Sequence, residues 1–119
     1  MFTIVPSLPA ASFDEILKLA SALQGSVPEL QIDIVDGNFV EARSWPFTER
    51  DPMAAFLRLS EINELFDIEM DCMVLHPERY LDIFVGLDVK RVIVHMHSTD
   101  AYEQIITHAG THGYKLGLA

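Results

Sequence analysis

Residues 29–35 alternate between apolar and polar side chains with a period of two. Successive side chains of a strand point to opposite faces, so this pattern predicts a strand with one apolar and one partly polar face. The polar face carries Gln31 and Asp33. An ionised carboxylate on an inward face costs several kcal/mol unless it is paired, hydrogen-bonded or bound to a metal. Asp33 is therefore the first candidate for a functional residue.

Similar apolar runs recur along the chain and predict five strands. They lie near residues 2–7, 29–35, 67–74, 90–97 and 114–119. Amphipathic stretches with helix-start signals separate them. The helix starts are a capping box at Ser12 and Glu15, the Asp51-Pro52 pair, Pro77, and Ser98 or Thr99. Strands that alternate with helices are typical of a parallel sheet with helical crossovers, so the chain is predicted to have an α/β fold.

The polarity of the inner strands distinguishes a barrel from an open doubly wound sheet. Central strands of an open sheet are apolar on both sides, whereas each inner strand of this chain has one partly polar face. This favours a (β/α)8 TIM-barrel type of fold, with apolar side chains against outer helices and polar ones inside. The side chains expected to converge at the carboxyl ends of the strands are Ser7, Gln31, Asp33, Asp71, His95 and His97.

The length of 119 residues corresponds to a single domain over residues 1–119, with no visible linker. A complete barrel of this type takes roughly 200 residues or more. The chain is therefore expected to contain the first four βα units and the start of strand five, which is the amino-terminal half of a barrel. Because such a half barrel has two open sheet edges, self-association is predicted.

The formal net charge of −10, with eight Lys and Arg, argues against nucleic-acid binding. No apolar run reaches the ~18 residues of a membrane span, and the first residues do not resemble a signal peptide. We therefore expect a cytoplasmic protein that contacts no membrane. A single cysteine, Cys72, excludes an internal disulfide and is expected to be a small buried side chain.

Two aspartates and two histidines at one end of a barrel indicate a divalent cation, because carboxylates and imidazoles are metal ligands. Other residues are expected to have structural roles. Asp36 is expected to form a turn with Gly37, and Glu69 to pair with Arg91. Two aromatic residues after the second strand, Trp45 and Phe47, either cover a ligand or pack on the barrel rim. Histidines at loop or helix-end positions are expected to be ordinary: His76, His108 and His112.

Several segments of the chain resemble the ribulose-phosphate 3-epimerase family. They are Pro6-Ser7-Leu8, Ile32-Asp33-Ile34-Val35-Asp36-Gly37-Asn38-Phe39-Val40, Met73-Val74, Pro77-Glu78-Arg79-Tyr80 and residues 113–119. The resemblance runs from end to end of the chain. It implies a ribulose-phosphate-binding TIM barrel that interconverts D-ribulose 5-phosphate and D-xylulose 5-phosphate.

The resemblance also implies roles for individual residues. Asp33 matches an aspartate that is both a catalytic proton acceptor and a metal ligand, while Ser7 and Met73 match residues that contact the substrate. In the implied mechanism one carboxylate removes the proton α to the ketone and a second returns a proton to the opposite face. A metal ion stabilises the ene-diolate between these steps.

The chain departs from the family pattern at the metal ligands and in its length. Two family histidines are replaced by Gln31 and Asp71. A site of Asp33 and Asp71, with Gln31 as a weak ligand, favours Mn or Mg over Zn as the bound metal. Fe is a further possible metal at this site. The family pattern continues past Ala119, where the second catalytic aspartate and the phosphate site are expected. The chain alone is therefore predicted to be inactive.

Two alternatives remain at this stage. The first is a non-catalytic half barrel that binds a sugar phosphate or dimerises, which the loss of both histidines favours. The second is a receiver-like open sheet, which requires an acidic cluster after the first strand. The segment Ser7-Leu8-Pro9-Ala10 offers none.

Overall fold

A computed structural model describes residues 4–119 and contains one sheet of five parallel strands. The strands are β1 (Ser7–Pro9), β2 (Glu29–Val35), β3 (Asp67–Met73), β4 (Arg91–Val94) and β5 (Lys115–Leu118). Their order in the sheet is β1-β2-β3-β4-β5, so strands that follow one another along the chain are neighbours. A doubly wound sheet reverses its strand order at a switch point, whereas a TIM barrel does not. The predicted α/β fold is confirmed and is consistent with part of a TIM barrel.

Helix α1 (Phe13–Leu23) begins at the predicted capping box. The Ser12 hydroxyl accepts a hydrogen bond from the backbone N–H of Glu15 at 3.3 Å. The Glu15 carboxylate in turn accepts from the N–H of Ala11 at 2.9 Å, one residue before the cap. The first bond satisfies a donor that the first helical turn leaves free, and the second holds the chain that enters the helix.

The other helices begin close to their predicted starts. Helix α2 (Pro52–Ala55) follows the Asp51 cap and continues as a 3₁₀ helix over Phe56–Glu61. A 3₁₀ turn at Pro77–Arg79 precedes α3 (Leu81–Gly86).

Helix α4 (Tyr102–His112) lies between β4 and β5 and ends at Gly113, whose φ is +78°. The prediction that Ser98 or Thr99 caps this helix is wrong. The Thr99 hydroxyl accepts from the N–H of Ala101 at 2.9 Å and forms a turn before the helix, so α4 starts three residues after Thr99.

Two strands, β1 and β4, differ from their predicted bounds by more than one residue. Residues 1–3 lie outside the described residues, and β1 begins at Ser7, where the predicted strand was to end. Strand β4 ends at Val94 instead of residue 97. The carbonyl of His95 accepts from both the N–H and the hydroxyl of Ser98, which closes a 3₁₀ turn over Met96–Ser98.

The apolar faces of the strands pack against the helices and form the core. Fully buried strand residues include Leu30, Ile32, Ile34, Met70, Cys72, Val92 and Val94. Trp45 belongs to this core at 1% exposure, with its ring centroid 4.9 Å from that of Phe13 and 5.9 Å from that of Phe56. Trp45 therefore does not cover a ligand, because its ring is enclosed by core residues.

Cys72 is buried in the same core, as predicted. Burial and the negative charge of Asp71 raise the pKa of the Cys72 thiol above its ordinary value, so the thiol stays protonated.

Within residues 4–119, no helix combines the length and apolarity that a membrane crossing requires.

The opposite face of the sheet, called the inner face below, carries the polar side chains of β2 and β3. The predicted pair of Glu69 and Arg91 is present on it, with 2.9 Å between the carboxylate and the guanidinium. Glu69 is only 7% exposed, so Arg91 compensates a largely desolvated charge.

Arg91→Met is expected to destabilise the chain, because it leaves the Glu69 carboxylate buried without its partner. We expect the free energy of unfolding to fall by about 1–3 kcal/mol in urea titrations. The matched control is Lys90→Met, which removes an exposed ion pair with Asp88 and should change the midpoint little. Equal losses in the two variants would contradict the importance of the Glu69–Arg91 pair.

Candidate active site

Asp33 lies on the inner face, and each of its carboxylate oxygens accepts a short hydrogen bond. The Ser7 hydroxyl donates to Oδ2 at 2.5 Å, and the Gln31 amide donates to Oδ1 at 2.7 Å. Two donors from β1 and β2 thus fix the orientation of one carboxylate. This arrangement suits a group that must present a defined lone pair to a bound molecule.

The register of the parallel strands brings these side chains together. Ser7 pairs with Gln31 across β1 and β2, and Asp33 pairs with Asp71 across β2 and β3. Because residues i and i+2 of a strand share a face, Gln31 and Asp33 point to the same side. Four of the predicted residues therefore occupy one patch.

His95 joins this patch from the end of β4. Its Nε2 lies 2.7 Å from the Asp71 carboxylate, and the Phe39 ring stands 5.7 Å from the imidazole. The Asp71 and His95 side chains are 17% and 23% exposed, so solvent screens this pair only in part. Asp71 and His95 thus extend the polar patch from β3 to β4.

His97 was predicted to converge with these residues, and that prediction is wrong. Strand β4 ends at Val94, and His97 lies exposed in the following 3₁₀ turn. Side chains two residues apart share a face only within a strand. Because the strand ends before the turn, His97 does not share the face of His95.

Asp36 has the structural role predicted for it. One carboxylate oxygen accepts from the N–H groups of Asn38 and Phe39 at 2.8 and 3.0 Å, and the other from the N–H of Leu75 at 3.0 Å. Burial by itself would raise the pKa of this carboxyl, but the three backbone N–H groups outweigh it and the pKa is lowered. Asp36 therefore links the loop after β2 to the loop after β3.

Comparison with known proteins matches the model of the Ribulose-phosphate 3 epimerase family to residues 3–119. The chain belongs to this family. It is 27% identical over 117 residues to a ribulose-phosphate 3-epimerase of Chlamydia trachomatis serovar D, and the matched region covers 98% of this chain and 47% of that protein. It is 28% identical over 118 residues to a ribulose-phosphate 3-epimerase of Schizosaccharomyces pombe, which covers 98% of this chain and 50% of that protein. The chain thus spans about half the length of these relatives.

Residues 32–40, one of the segments that resemble the family, fall on β2 and the turn that follows it. Met73, the other residue matched to a substrate contact, is partly buried at the end of β3 and pairs in register with Val35. Ser7, Asp33 and Met73 thus lie on the adjacent strands β1, β2 and β3.

The oxygen donors of the patch suit a hard cation, and His95 adds one imidazole nitrogen, which zinc also accepts. Asp33 and Asp71 offer carboxylate oxygens, and Gln31 offers an amide oxygen because its NH₂ group is turned toward Asp33. Oxygen donors suit Mg²⁺ and Mn²⁺, whereas zinc prefers nitrogen and sulfur. Within residues 4–119, this patch does not bring three His, Cys, Asp or Glu ligand atoms within 4.8 Å of one another.

Three such ligand atoms do come together elsewhere, in Asp82, His108 and His112 on α3 and α4. The histidines were predicted to be ordinary helix-end residues. Their spacing of four within one helix was the signal in the sequence, because such residues share a helix face. The contribution of Asp82 depends on how α3 packs beside α4, which local patterns do not reveal.

Positive charge lies at the rim of the sheet beside Asp36. Arg43, Arg50 and Arg79 line a cavity of about 480 Å³ there, and they are three of the chain's eight basic residues. Asp36 and Glu49 line the same cavity, so three positive charges face two negative ones in a chain whose net charge is −10.

Asp36→Asn is expected to destabilise the chain, because an amide NH₂ cannot accept the hydrogen bond from Leu75. We expect a loss of about 1–3 kcal/mol in the free energy of unfolding at neutral pH. The folded pKa of Asp36 lies below its ordinary value of 3.8, so its contribution is complete above that pH. The contribution is lost as the pH falls through the folded pKa.

The difference between the wild-type and Asp36→Asn chains should therefore shrink below pH 3.8 in urea titrations repeated at several pH values. Asp100→Asn, at an exposed position, serves as the matched control and should follow the wild type throughout. A difference that stays constant down to pH 2 would contradict the proposed role of the ionised carboxylate.

Proposed function

We propose that this chain forms the amino-terminal half of an epimerase barrel, as one domain over residues 1–119. The barrel would interconvert D-ribulose 5-phosphate and D-xylulose 5-phosphate or a related ketose phosphate. The observation that carries this proposal is the Asp33 carboxylate, held on the inner face by Ser7 and Gln31 within a family-typical sequence block.

Asp33 is the proposed proton acceptor. Epimerisation at a carbon α to a ketone requires a base that removes the proton from one face of the substrate. Ser7 and Gln31 hold the carboxylate oxygens by hydrogen bonds, so Asp33 presents its remaining lone pairs in fixed directions. Ser7 and Met73 are the proposed substrate contacts, because they match family positions on the adjacent strands.

The second half of the reaction needs a second acid. Inversion requires that a proton return to the opposite face of the ene-diolate, and the family resemblance assigns that task to an aspartate on strand seven. The same resemblance assigns phosphate binding to loops after strands seven and eight, as in other TIM barrels. The 119-residue chain on its own is therefore proposed to be inactive.

A hard divalent cation is the proposed cofactor, with Asp33 and Asp71 as ligands and Gln31 as a weak ligand. Bound there, it would stabilise negative charge that develops on the substrate oxygens. His95 supports the proposal as a positioning residue, because its contact with Asp71 at 2.7 Å orients that carboxylate.

The alternative of a non-catalytic half barrel is not favoured by the family match. Its proposed self-association nevertheless stays a prediction, because β1 and β5 are the edge strands of the sheet. Large apolar side chains near these edges are exposed, including Ile4 at 76% and Leu118 at 57%. A cytoplasmic location likewise stays a prediction from the sequence.

A chimaeric barrel tests the role of Asp33. Residues 1–119 are joined to the carboxyl-terminal half of the Schizosaccharomyces pombe relative, and interconversion of the two pentulose phosphates is followed in a coupled assay. We expect the chimaera to be active and the 119-residue chain to match the buffer rate. Asp33→Asn should lower kcat of the chimaera by about 10²–10⁴-fold.

Asp100→Asn in the same chimaera is the control for a change of an exposed aspartate and should retain wild-type kcat. An Asp33→Asn chimaera within threefold of the parent rate would refute the assignment of the base. Epimerisation by the 119-residue chain alone would refute the need for a second half.

Metal binding at the inner face is tested with Mn²⁺ by electron paramagnetic resonance of the purified chain. We expect saturable binding that Asp33→Asn and Asp71→Asn each weaken about tenfold or more. Asp67→Asn removes an exposed carboxylate at the other end of β3 and is the control. Unchanged Mn²⁺ affinity in both inner-face variants would rule out this cation site.

A further inference from the structure

Two histidines and an aspartate meet on the outer surface of the protein, away from the inner face. The ligand atoms of Asp82, His108 and His112 all lie within 4.8 Å of one another. His108 Nε2 is 2.7 Å from the Asp82 carboxylate, and the two imidazole centroids are 4.3 Å apart. None of these three residues takes part in the proposed epimerase site.

Local structure explains this juxtaposition. His108 and His112 are four residues apart in α4, so their side chains occupy successive turns of one helix face. Asp82 lies in the first turn of α3, and its carboxylate contacts His108 of α4. Asp82 and His108 are 26 residues apart along the chain, so their contact connects two helices that are adjacent in space.

We propose that Asp82, His108 and His112 form a binding site for a divalent transition-metal ion of the zinc type. Two imidazole nitrogens and one carboxylate oxygen are a ligand set that zinc accepts, with water completing a tetrahedron. Three ligands on one zinc ion lie roughly 3–3.5 Å from one another, given metal–ligand distances of about 2.0–2.2 Å. Closing the group around an ion therefore needs only small side-chain movements.

The exposure of the ligands permits those movements. The Asp82 side chain is 92% exposed and can adjust its rotamer, whereas the His108 side chain is 19% exposed and held in place. Both histidines also line a surface depression of about 420 Å³, so a hydrated ion reaches them from solvent.

Tyr114 holds the His108 ring in the orientation that the site needs. Its hydroxyl lies 2.9 Å from His108 Nδ1, which turns Nε2 toward Asp82. A phenol both donates and accepts hydrogen bonds, so its oxygen can accept a hydrogen bond from Nδ1–H when the Nε2 lone pair binds an ion. Such a partner behind a ligating histidine is a general feature of metal sites.

The ligand chemistry separates this site from the inner face. Imidazole nitrogens favour zinc, whereas the carboxylate and amide oxygens of Asp33, Asp71 and Gln31 favour harder cations. A metal ion at the outer site would join α3 to α4 and stabilise the folded chain by mass action. The outer site does not depend on epimerase activity.

The test is a zinc titration of the tag-free 119-residue chain after dialysis against EDTA, measured by calorimetry and by the thermal unfolding midpoint. We expect one zinc ion per chain at the outer site and a rise of the midpoint on zinc addition. His112→Ala and Asp82→Asn should each weaken binding about tenfold or more, and Tyr114→Phe should weaken it to a smaller extent.

Two controls locate the ion. His97→Ala removes an exposed histidine outside the group, and the Asp33→Asn/Asp71→Asn pair removes the inner-face carboxylates. Both should leave zinc affinity unchanged. Circular dichroism confirms folding of each variant, and Asp82→Asn gives an independent test if His112→Ala fails to fold.

The proposal is overturned by three results. These are the absence of saturable zinc binding below millimolar concentration, unchanged affinity in a folded Asp82→Asn chain, or loss of binding when the inner-face carboxylates are removed.

Discussion

The parallel hydrogen-bonded register between β2 and its two neighbours positions the whole inner face. It sets Gln31 beside Ser7 and Asp33 beside Asp71. The register is held by the other side of the strand, where Leu30, Ile32 and Ile34 are fully buried against the helices. A slip of one residue would bury Asp33 in the core and expose these apolar side chains, so the core and the site specify the same pairing.

The loops at the carboxyl ends of the strands are tied to this register by Asp36. Its carboxylate collects backbone N–H groups from its own turn and from the loop after β3. Gly37 follows with φ +81° and lies under the Arg43 side chain, which is 2.9 Å from where a Cβ would stand. The acidic turn at Asp36 and Gly37 thus has a structural function next to the chemical one proposed for Asp33.

The sequence predicted best those helices and strands whose bounds are set by their own residues. The bounds of β2 were predicted as residues 29–35, and the capping residues of α1 and α2 form their expected hydrogen bonds. The end of β4 was missed because the turn at His95 depends on its carbonyl accepting from Ser98, which alternation does not report. The sequence left open whether Trp45 covers a ligand or packs, because its burial depends on aromatic partners from distant segments.

The candidate site shows the same division. The placement of Ser7, Gln31, Asp33 and Asp71 on one face follows from strand periodicity together with parallel pairing. The outer group of Asp82, His108 and His112 follows from the packing of α3 beside α4 and was not predicted. The charge of the chain is also unevenly distributed, with three arginines around one cavity, and composition alone does not report that distribution.

The most direct test of the inner-face site is to map Mn²⁺ on the purified chain by paramagnetic broadening of its NMR resonances. At the lowest Mn²⁺ concentrations we expect broadening centred on Asp33 and Asp71 and extending to Ser7 and His95. Broadening centred on the α3 and α4 surface, or spread evenly over the exposed carboxylates, would contradict a cation site on the inner face.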